Sequence, residues 1–273
     1  NGMDDVIRFA ESVVSAIQVG YALGAIADDL IELTLLPVFL DAKDSKHRDL
    51  VRGFIWKRYY TKGWSWCDKL EKSGWTPPQL GCFLVCLPFN KETWNHVSEW
   101  LNENQGEYWS RVGTSAGQVD EDFSIAVEKL VEYGRPYSAI YCLYRMLHAK
   151  QAIEADQCVR VLMAALPSSE PTHTTVGYHI AELIKFLQSE PTVAEEDLFK
   201  VEWAYLPLLD HHRGASPKLI ERKLADDPEF FCEVIRRVYR SKKEEKPQEE
   251  PTEESKAISA NAWRLLHEWK TPP

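Results

Sequence analysis

The chain has 273 residues, 44% of them hydrophobic and 27% charged, and a net charge of −10. This composition excludes a disordered or collagen-like chain, and a chain of this length can bury a core without disulfides or a metal. Its acidity argues against general nucleic-acid binding but leaves room for a local basic surface.

The first 45 residues predict an N-terminal pair of apolar helices, Asp4–Gln18 and Ala22–Leu40. Three carboxylates, those of Asp28, Asp29 and Glu32, interrupt the second helix in its middle. Charges at such a position are costly in a bilayer, so we expect no membrane-spanning segment and no membrane partner.

Residues 46–72 combine positive charge with aromatic side chains. They contain eight Lys or Arg and three acidic residues, with tryptophans and tyrosines between them. Three interpretations stay open: a packed helical edge whose cations reach into water, a protein-binding hot spot, or a surface that stacks bases and holds phosphates. The candidate partner-binding residues are Arg52, Trp56, Lys57, Arg58, Tyr60, Lys62, Trp64 and Trp66.

Apolar stripes of helical period recur in the second half of the chain. Their anchors, Phe123, Ile140, Val159, Ile180 and Val201, are 17, 19, 21 and 21 residues apart. Two such steps match the length of a two-helix repeat. The fold class predicted is therefore all-α, an irregular two-helix-repeat α-solenoid of the TPR or HEAT type over residues 46–240. A compact helical globule is the alternative.

Several short patterns predict where helices begin and end. Cap residues followed by proline or by a reciprocal side chain mark helix starts, and glycines mark helix ends. The starts are predicted at Thr76-Pro77-Pro78-Gln79, Thr192 with Glu195, Ser216-Pro217 and Asp227-Pro228, and the ends at Gly74 and Gly134.

The C-terminal part changes character abruptly. Residues 241–254 are rich in Lys and Glu and offer almost nothing to bury, which predicts a disordered acidic linker. Residues 255–273 regain an apolar helical stripe. We expect this last helix to dock back on the fold as a cap.

No sequence motif indicates catalysis. There is no P-loop, no nucleophile elbow and no His-Glu-x-x-His pair. Cys82 and Cys86 near His96 lack the second ligand pair that zinc needs, which predicts core thiols. The adjacent His211 and His212 point in different directions on a helix. We therefore expect no enzyme activity, no metal and no cofactor, with a hydrolase or nuclease site assembled from distant helices as the alternative.

The six cysteines lie far apart in a large chain. Disulfide frameworks belong to short secreted chains, and no signal-peptide pattern appears near the start. Scattered thiols are typical of small buried side chains in a reducing compartment. These observations predict a cytoplasmic location.

Several short sequence motifs resemble helical-repeat regions of large bacterial multidomain proteins, some of which resemble antiphage or stress-response proteins. The motifs are Leu87-Pro88-Phe89, Thr93-Trp94, Tyr108-Trp109, Gly134-Arg135-Pro136 and residues 225–231. The resemblance covers roughly residues 46–269 and rests on packing residues, so it transfers no functional residue. It implies a helical module of a larger protein, in which Tyr108-Trp109 is a core anchor.

These observations predict a non-catalytic module that recognises a protein partner or another domain of its parent chain. Binding of RNA or single-stranded DNA through residues 46–72 is the alternative. This alternative predicts an affinity that falls steeply as salt is added.

Overall fold

The computed structural model describes residues 2–26, 29–114, 122–172, 174–209, 215–238 and 253–268. Within these ranges every regular element is helical and no strand occurs, so the predicted all-α class is confirmed. The chain forms two compact units, Asn1–Gly134 and Arg135–Pro273. The boundaries predicted from the sequence, at residues 45, 240 and 254, and the solenoid arrangement stay predictions.

The first unit contains nine α-helices among its described residues, and a short 3₁₀ helix, Asn102–Asn104, follows α7. The α-helices are α1 (Gly2–Ser12), α2 (Ala16–Ile26), α3 (Asp29–Leu35), α4 (Ser45–Lys62), α5 (Trp64–Lys69), α6 (Pro77–Val85), α7 (Lys91–Leu101), α8 (Gly106–Trp109) and α9 (Ser124–Glu132).

The N-terminal pair differs from the prediction. The helix predicted over Asp4–Gln18 ends at Ser12, and a new helix starts at Ala16. The helix predicted over Ala22–Leu40 also ends earlier than expected, because α3 ends at Leu35. Pro37 explains this end, because proline disfavours helical geometry in the residue before it and cannot continue a helix. The apolar period continues beyond Ser12 and beyond Leu35, so the sequence pattern does not reveal that helices end there.

Helix α4 has clear signals at both ends. The Asp44 carboxylate accepts hydrogen bonds from the backbone amides of Lys46 and His47 at 2.7 and 3.3 Å. These bonds lower the pKa of Asp44. At the other end Gly63 has a positive φ of 63° and donates its amide to the Tyr59 carbonyl. Helix α4 therefore spans Ser45–Lys62 with a defined cap at each end.

Glycines let α2 and α4 approach until their backbones touch. A Cβ atom on Gly20 would lie 1.8 Å from the Leu50 carbonyl oxygen, and one on Gly53 would lie 1.9 Å from the Ile17 carbonyl oxygen. Only glycine leaves room for such a contact. The result is a rigid helix pair that fixes which side of α4 faces outward.

A second part of this unit is packed by aromatic rings. Tyr108 and Trp109 are fully buried, and Phe89 lies against Trp94 and Trp109 at ring-centroid distances of 5.0 and 6.3 Å. The role of Tyr108-Trp109 as a core anchor, which the resemblance implied, is confirmed. Aromatic pairs in such tilted arrangements add to the stabilisation that burial provides.

The second unit contains seven α-helices among its described residues, with a 3₁₀ helix, Leu206–Leu208, after α13. The α-helices are α10 (Pro136–His148), α11 (Ala155–Ala165), α12 (Val176–Ser189), α13 (Glu195–Ala204), α14 (Lys218–Asp226), α15 (Pro228–Val238) and α16 (Glu253–Glu268).

The C-terminal helix packs on the second unit, as expected from its apolar stripe. Ala262 and Leu265 of α16 are buried in one cluster with Ile220, Leu224 and Val234 of α14 and α15. The predicted linker, except for its last two residues, lies outside the described residues. So do His211 and His212.

A buried carboxylate holds the start of α14. Glu202 accepts hydrogen bonds from the backbone amides of Leu219 and Ile220 at 3.3 and 3.0 Å, and from the Gln188 side chain at 2.6 Å. Its burial raises its pKa, against the smaller effect of these bonds. The prediction that Ser216 caps this helix is therefore wrong, because a distant side chain takes its amides.

Of the remaining predictions of helix ends, three are confirmed and two are wrong. The capping box at Thr76 with Gln79, the Asp227 cap of α15 and the positive φ of Gly134 after α9 are confirmed. Thr192 does not cap α13, since its hydroxyl donates to the Glu190 carboxylate. Gly74 is not a helix end, because α5 already ends at Lys69.

Candidate protein-binding surface

One side of α4 presents aromatic and cationic side chains to solvent. Arg52, Trp56 and Tyr60 are spaced by four residues and therefore lie along one stripe of the helix. Trp56 is 53% exposed and Tyr60 is 76% exposed. Lys57, beside the stripe, lies with its amine 5.1 Å from the Tyr21 ring centre and 5.9 Å from that of Tyr60. Four of the eight predicted residues thus share one surface.

Two of the predicted residues are buried and serve the interior of the first unit. The Arg58 guanidinium pairs with the Glu32 carboxylate of α3, and the Trp66 indole donates to the same carboxylate at 2.9 Å. Arg58 and Trp66 are only 4% and 5% exposed. They connect α3, α4 and α5, and a partner could not reach them directly.

The last two predicted residues lie at the junction of α4 and α5. Lys62 is exposed at the end of α4. Trp64 is half-buried, and its ring stacks on the His96 imidazole at a centroid distance of 3.8 Å and an angle of 5°. An edge contact with Trp100 at 6.0 Å holds it further. Trp64 therefore contributes to packing, and Lys62 is free to approach a partner.

Helix α2 carries an unusual outward side. None of its residues is charged, whereas a surface helix normally has charged or polar residues opposite its buried stripe. Ile17 and Tyr21 are each 38% exposed, and Ile26 is 80% exposed. An apolar outward side of this kind marks an interaction site more often than an isolated exposed residue does.

A groove runs between α2 and α4 where these two surfaces meet. Its volume is about 410 Å³, and the Tyr21 and Trp56 rings lie 6.3 Å apart at an angle of 46°. We call it the α2–α4 groove, and it is lined by Ile17, Gln18, Tyr21, Arg52, Gly53 and Trp56. The prediction missed its α2 wall, although the lack of charge in that helix was a usable signal.

A second depression lies on the other side of Arg52 and Trp56. It has a volume of about 420 Å³, and its wall contains three arginines, Arg48, Arg52 and Arg111, and one acid, Asp49. We call it the arginine cleft. Arg111 follows α8 and is far from α4 in the sequence, so only the fold brings it to this cleft.

Two of these guanidinium groups are held in place by their own contacts. Arg48 donates to the carbonyl oxygens of Ala42 and Lys43 at 2.8 and 2.7 Å. Arg111 pairs with Glu107 at 2.6 Å. In contrast, no acidic side chain in the described part of the chain pairs with Arg52. Arg48 and Arg52 are therefore the two guanidinium groups of the cleft that are not paired with a carboxylate among the described residues, and Arg48 is the one of them that is held in place.

The thiols in the arginine cleft are not activated. Burial raises the pKa of Cys86 to about 12, and it raises the pKa of Cys82 even though Arg111 acts in the opposite direction. A thiol with a raised pKa is a poor nucleophile and a poor metal ligand. All six cysteines are free, which fits the expectation of unpaired thiols.

The first unit has a larger depression of about 630 Å³ near the end of α4. Its lining includes two tryptophans and three charged residues, namely Trp66, Trp75, Glu32, Lys62 and Lys69. The Oε1 atom of Glu32 already accepts from Arg58 and Trp66. Across the described ranges, no group of three His, Cys, Asp or Glu side chains could hold a metal ion.

None of the helices in the described ranges is long and apolar enough to cross a membrane.

Comparison with known proteins finds no relative of the chain. No protein-family model matches the chain, and no curated protein or solved structure is significantly similar to it.

Proposed function

We propose that the chain is a non-catalytic protein-recognition module, and that it binds its partner through the α2–α4 groove and the exposed side of α4. The observation that supports this most strongly is the pairing of an uncharged outward helix with exposed Trp56 and Tyr60. Tryptophan, tyrosine and arginine are the residues that dominate binding energy in protein interfaces.

The chemistry of the groove favours a protein over a nucleic acid. Its α2 wall consists of Ile17, Gln18 and Tyr21 and carries no charge, and Arg52 on the α4 wall is the one charged side chain in its lining. Apolar side chains of a partner gain free energy when they enter such a groove, whereas phosphates would have to remain in water beside it. Aromatic rings and cations alone would suit either partner, so the apolar wall decides the choice.

We also propose the domain organisation that the sequence predicts. Residues 46–240 form an irregular two-helix-repeat solenoid, and the module works in the cytoplasm as part of a larger bacterial protein, with a role in antiphage or stress responses. The all-helical described structure is compatible with this arrangement. A protein partner, or another domain of the parent chain, is the molecule that the groove would bind.

A selection from a peptide display library tests the proposal. We expect the full chain to enrich peptides with large apolar side chains. Replacing Trp56 by alanine should weaken their binding by about 2 kcal/mol, roughly thirtyfold, which is the size of a hot-spot effect. The measurement is the dissociation constant from fluorescence anisotropy.

Trp263→Ala is the matched control, because Trp263 is 52% exposed and lies on α16 of the second unit. It should leave affinity unchanged. Selected peptides whose affinity is indifferent to Trp56→Ala, or a selection that enriches none, would refute the proposed site.

A further inference from the structure

We infer that the partner segment is acidic: a large apolar side chain of the partner occupies the α2–α4 groove while neighbouring Asp or Glu side chains pair with the arginine cleft. This inference rests on the proposed function and specifies the partner's chemistry. It is carried by two adjacent depressions of different character and by the charge of the wall between them.

The two depressions share the same wall. Arg52 and Trp56 line both the α2–α4 groove and the arginine cleft. They are four residues apart on α4, so their Cβ atoms are only about 6 Å apart. A segment that crosses α4 at this point would place consecutive side chains in both depressions.

The charge of α4 contrasts sharply with that of the whole chain. The helix carries six cations and one acid, Asp49, while the chain as a whole has a net charge of −10. Arg58 is already neutralised inside the unit by Glu32. The other cations of α4 remain on the surface, and an acidic partner would be attracted to this side of an otherwise acidic protein.

The arginine cleft suits carboxylates in particular. A guanidinium group has five N–H donors in a planar fork that matches the two oxygens of a carboxylate. Arg48 and Arg111 are already fixed by contacts with the backbone and with Glu107, so they lose little freedom when a carboxylate binds. Asp49 lies in the wall of the cleft, and Glu107 pairs with Arg111. Arg48 and Arg52 are therefore the cations left to be neutralised by a partner.

Matched peptides test the charge requirement. The first probe contains a leucine and a tryptophan four residues apart with glutamates between and beside them, the second replaces every glutamate by glutamine, and the third probe is single-stranded oligouridine. Each is titrated against the full chain by fluorescence anisotropy at low and at moderate salt. We expect the glutamate peptide to bind at least about tenfold more tightly than the glutamine peptide, with a difference that shrinks as salt is added.

Variants assign that difference to the cleft. Arg52→Gln and Arg111→Gln should each reduce the preference for glutamate, whereas Arg237→Gln, in an exposed ion pair on α15, should leave it unchanged. Trp56→Ala should weaken both peptides equally, because it removes the apolar wall and leaves the charges in place.

The outcomes separate this inference from the proposed function. Equal affinity for the glutamate and glutamine peptides, both weakened by Trp56→Ala, would overturn the acidic partner and leave the protein-binding site intact. Binding of oligouridine with no binding of either peptide would overturn both. A glutamate preference that Arg52→Gln and Arg111→Gln do not change would overturn the role of the arginine cleft.

Discussion

Replacing Gly53 by alanine should destabilise the first unit by about 3 kcal/mol or more, the upper end of what overpacking costs. The added Cβ would lie 1.9 Å from the Ile17 carbonyl oxygen and 2.9 Å from the Tyr21 backbone nitrogen. Both obstacles are backbone atoms, so no change of rotamer relieves them. The two helices would have to separate, and the α2–α4 groove would be lost with their contact. Urea unfolding followed by circular dichroism measures the effect.

Gly74→Ala provides the control, because no atom lies within 4 Å of the position that its Cβ would take. We expect its effect on unfolding to be small and either neutral or slightly stabilising. If Gly53→Ala were tolerated as well as Gly74→Ala, the close packing of α2 on α4 described here would be incorrect.

The buried pair of Glu32 and Arg58 should produce the second large effect. Glu32→Leu leaves the Arg58 guanidinium without its carboxylate in the interior, and also removes the acceptor of the Trp66 indole. Breaking a buried pair on one side costs about 3–5 kcal/mol, whereas replacing both partners by apolar residues is often close to neutral. We therefore expect Glu32→Leu alone to be strongly destabilising, and the double variant Glu32→Leu/Arg58→Met to regain most of the loss.

The exposed pair of Lys129 and Glu132 in the same unit serves as the comparison. Glu132→Ala should cost less than about 1 kcal/mol, since exposed ion pairs contribute little. Additive losses in the Glu32→Leu/Arg58→Met double variant would contradict the claim that the pair is buried and coupled.

Local signals in the sequence predicted much of the fold. The capping box at Thr76, the Asp227 cap and the glycine after α9 depend on neighbours in the chain, and each was found where expected. Asp44 and Gly63 set the ends of α4 in the same local way. Such features follow from the backbone groups that a helix leaves unpaired at its ends.

Features that depend on distant residues could not be predicted in this way. Glu202 accepts a hydrogen bond from the Leu219 amide, which lies 17 residues later in the chain. Ser216 is nearer in sequence and is the more obvious candidate for the cap. Likewise, the apolar stripe of the first 40 residues predicts helical character but not the breaks, because a stripe continues across a short connection. Tertiary contacts decided both cases.

The candidate binding surface could likewise be predicted only in part. Composition identified Arg52, Trp56, Lys57 and Tyr60 as candidates, but it gave equal weight to Arg58. Helical spacing distinguishes them, because Arg58 continues the buried stripe of Leu50 and Phe54 at intervals of four residues. Arg52, Trp56 and Tyr60 form the next stripe. The α2 wall and Arg111 required the folded structure, since they approach α4 only through packing.

Hydrogen–deuterium exchange of the full chain, with and without a peptide obtained from the display selection, tests the central claim most directly. We expect the bound peptide to slow exchange in residues 16–26 and 45–62, which form the two walls of the α2–α4 groove, and to leave α10–α16 unchanged. Slower exchange confined to the second unit, or to α5 and the depression beside Trp75, would contradict the claim that the partner binds between α2 and α4.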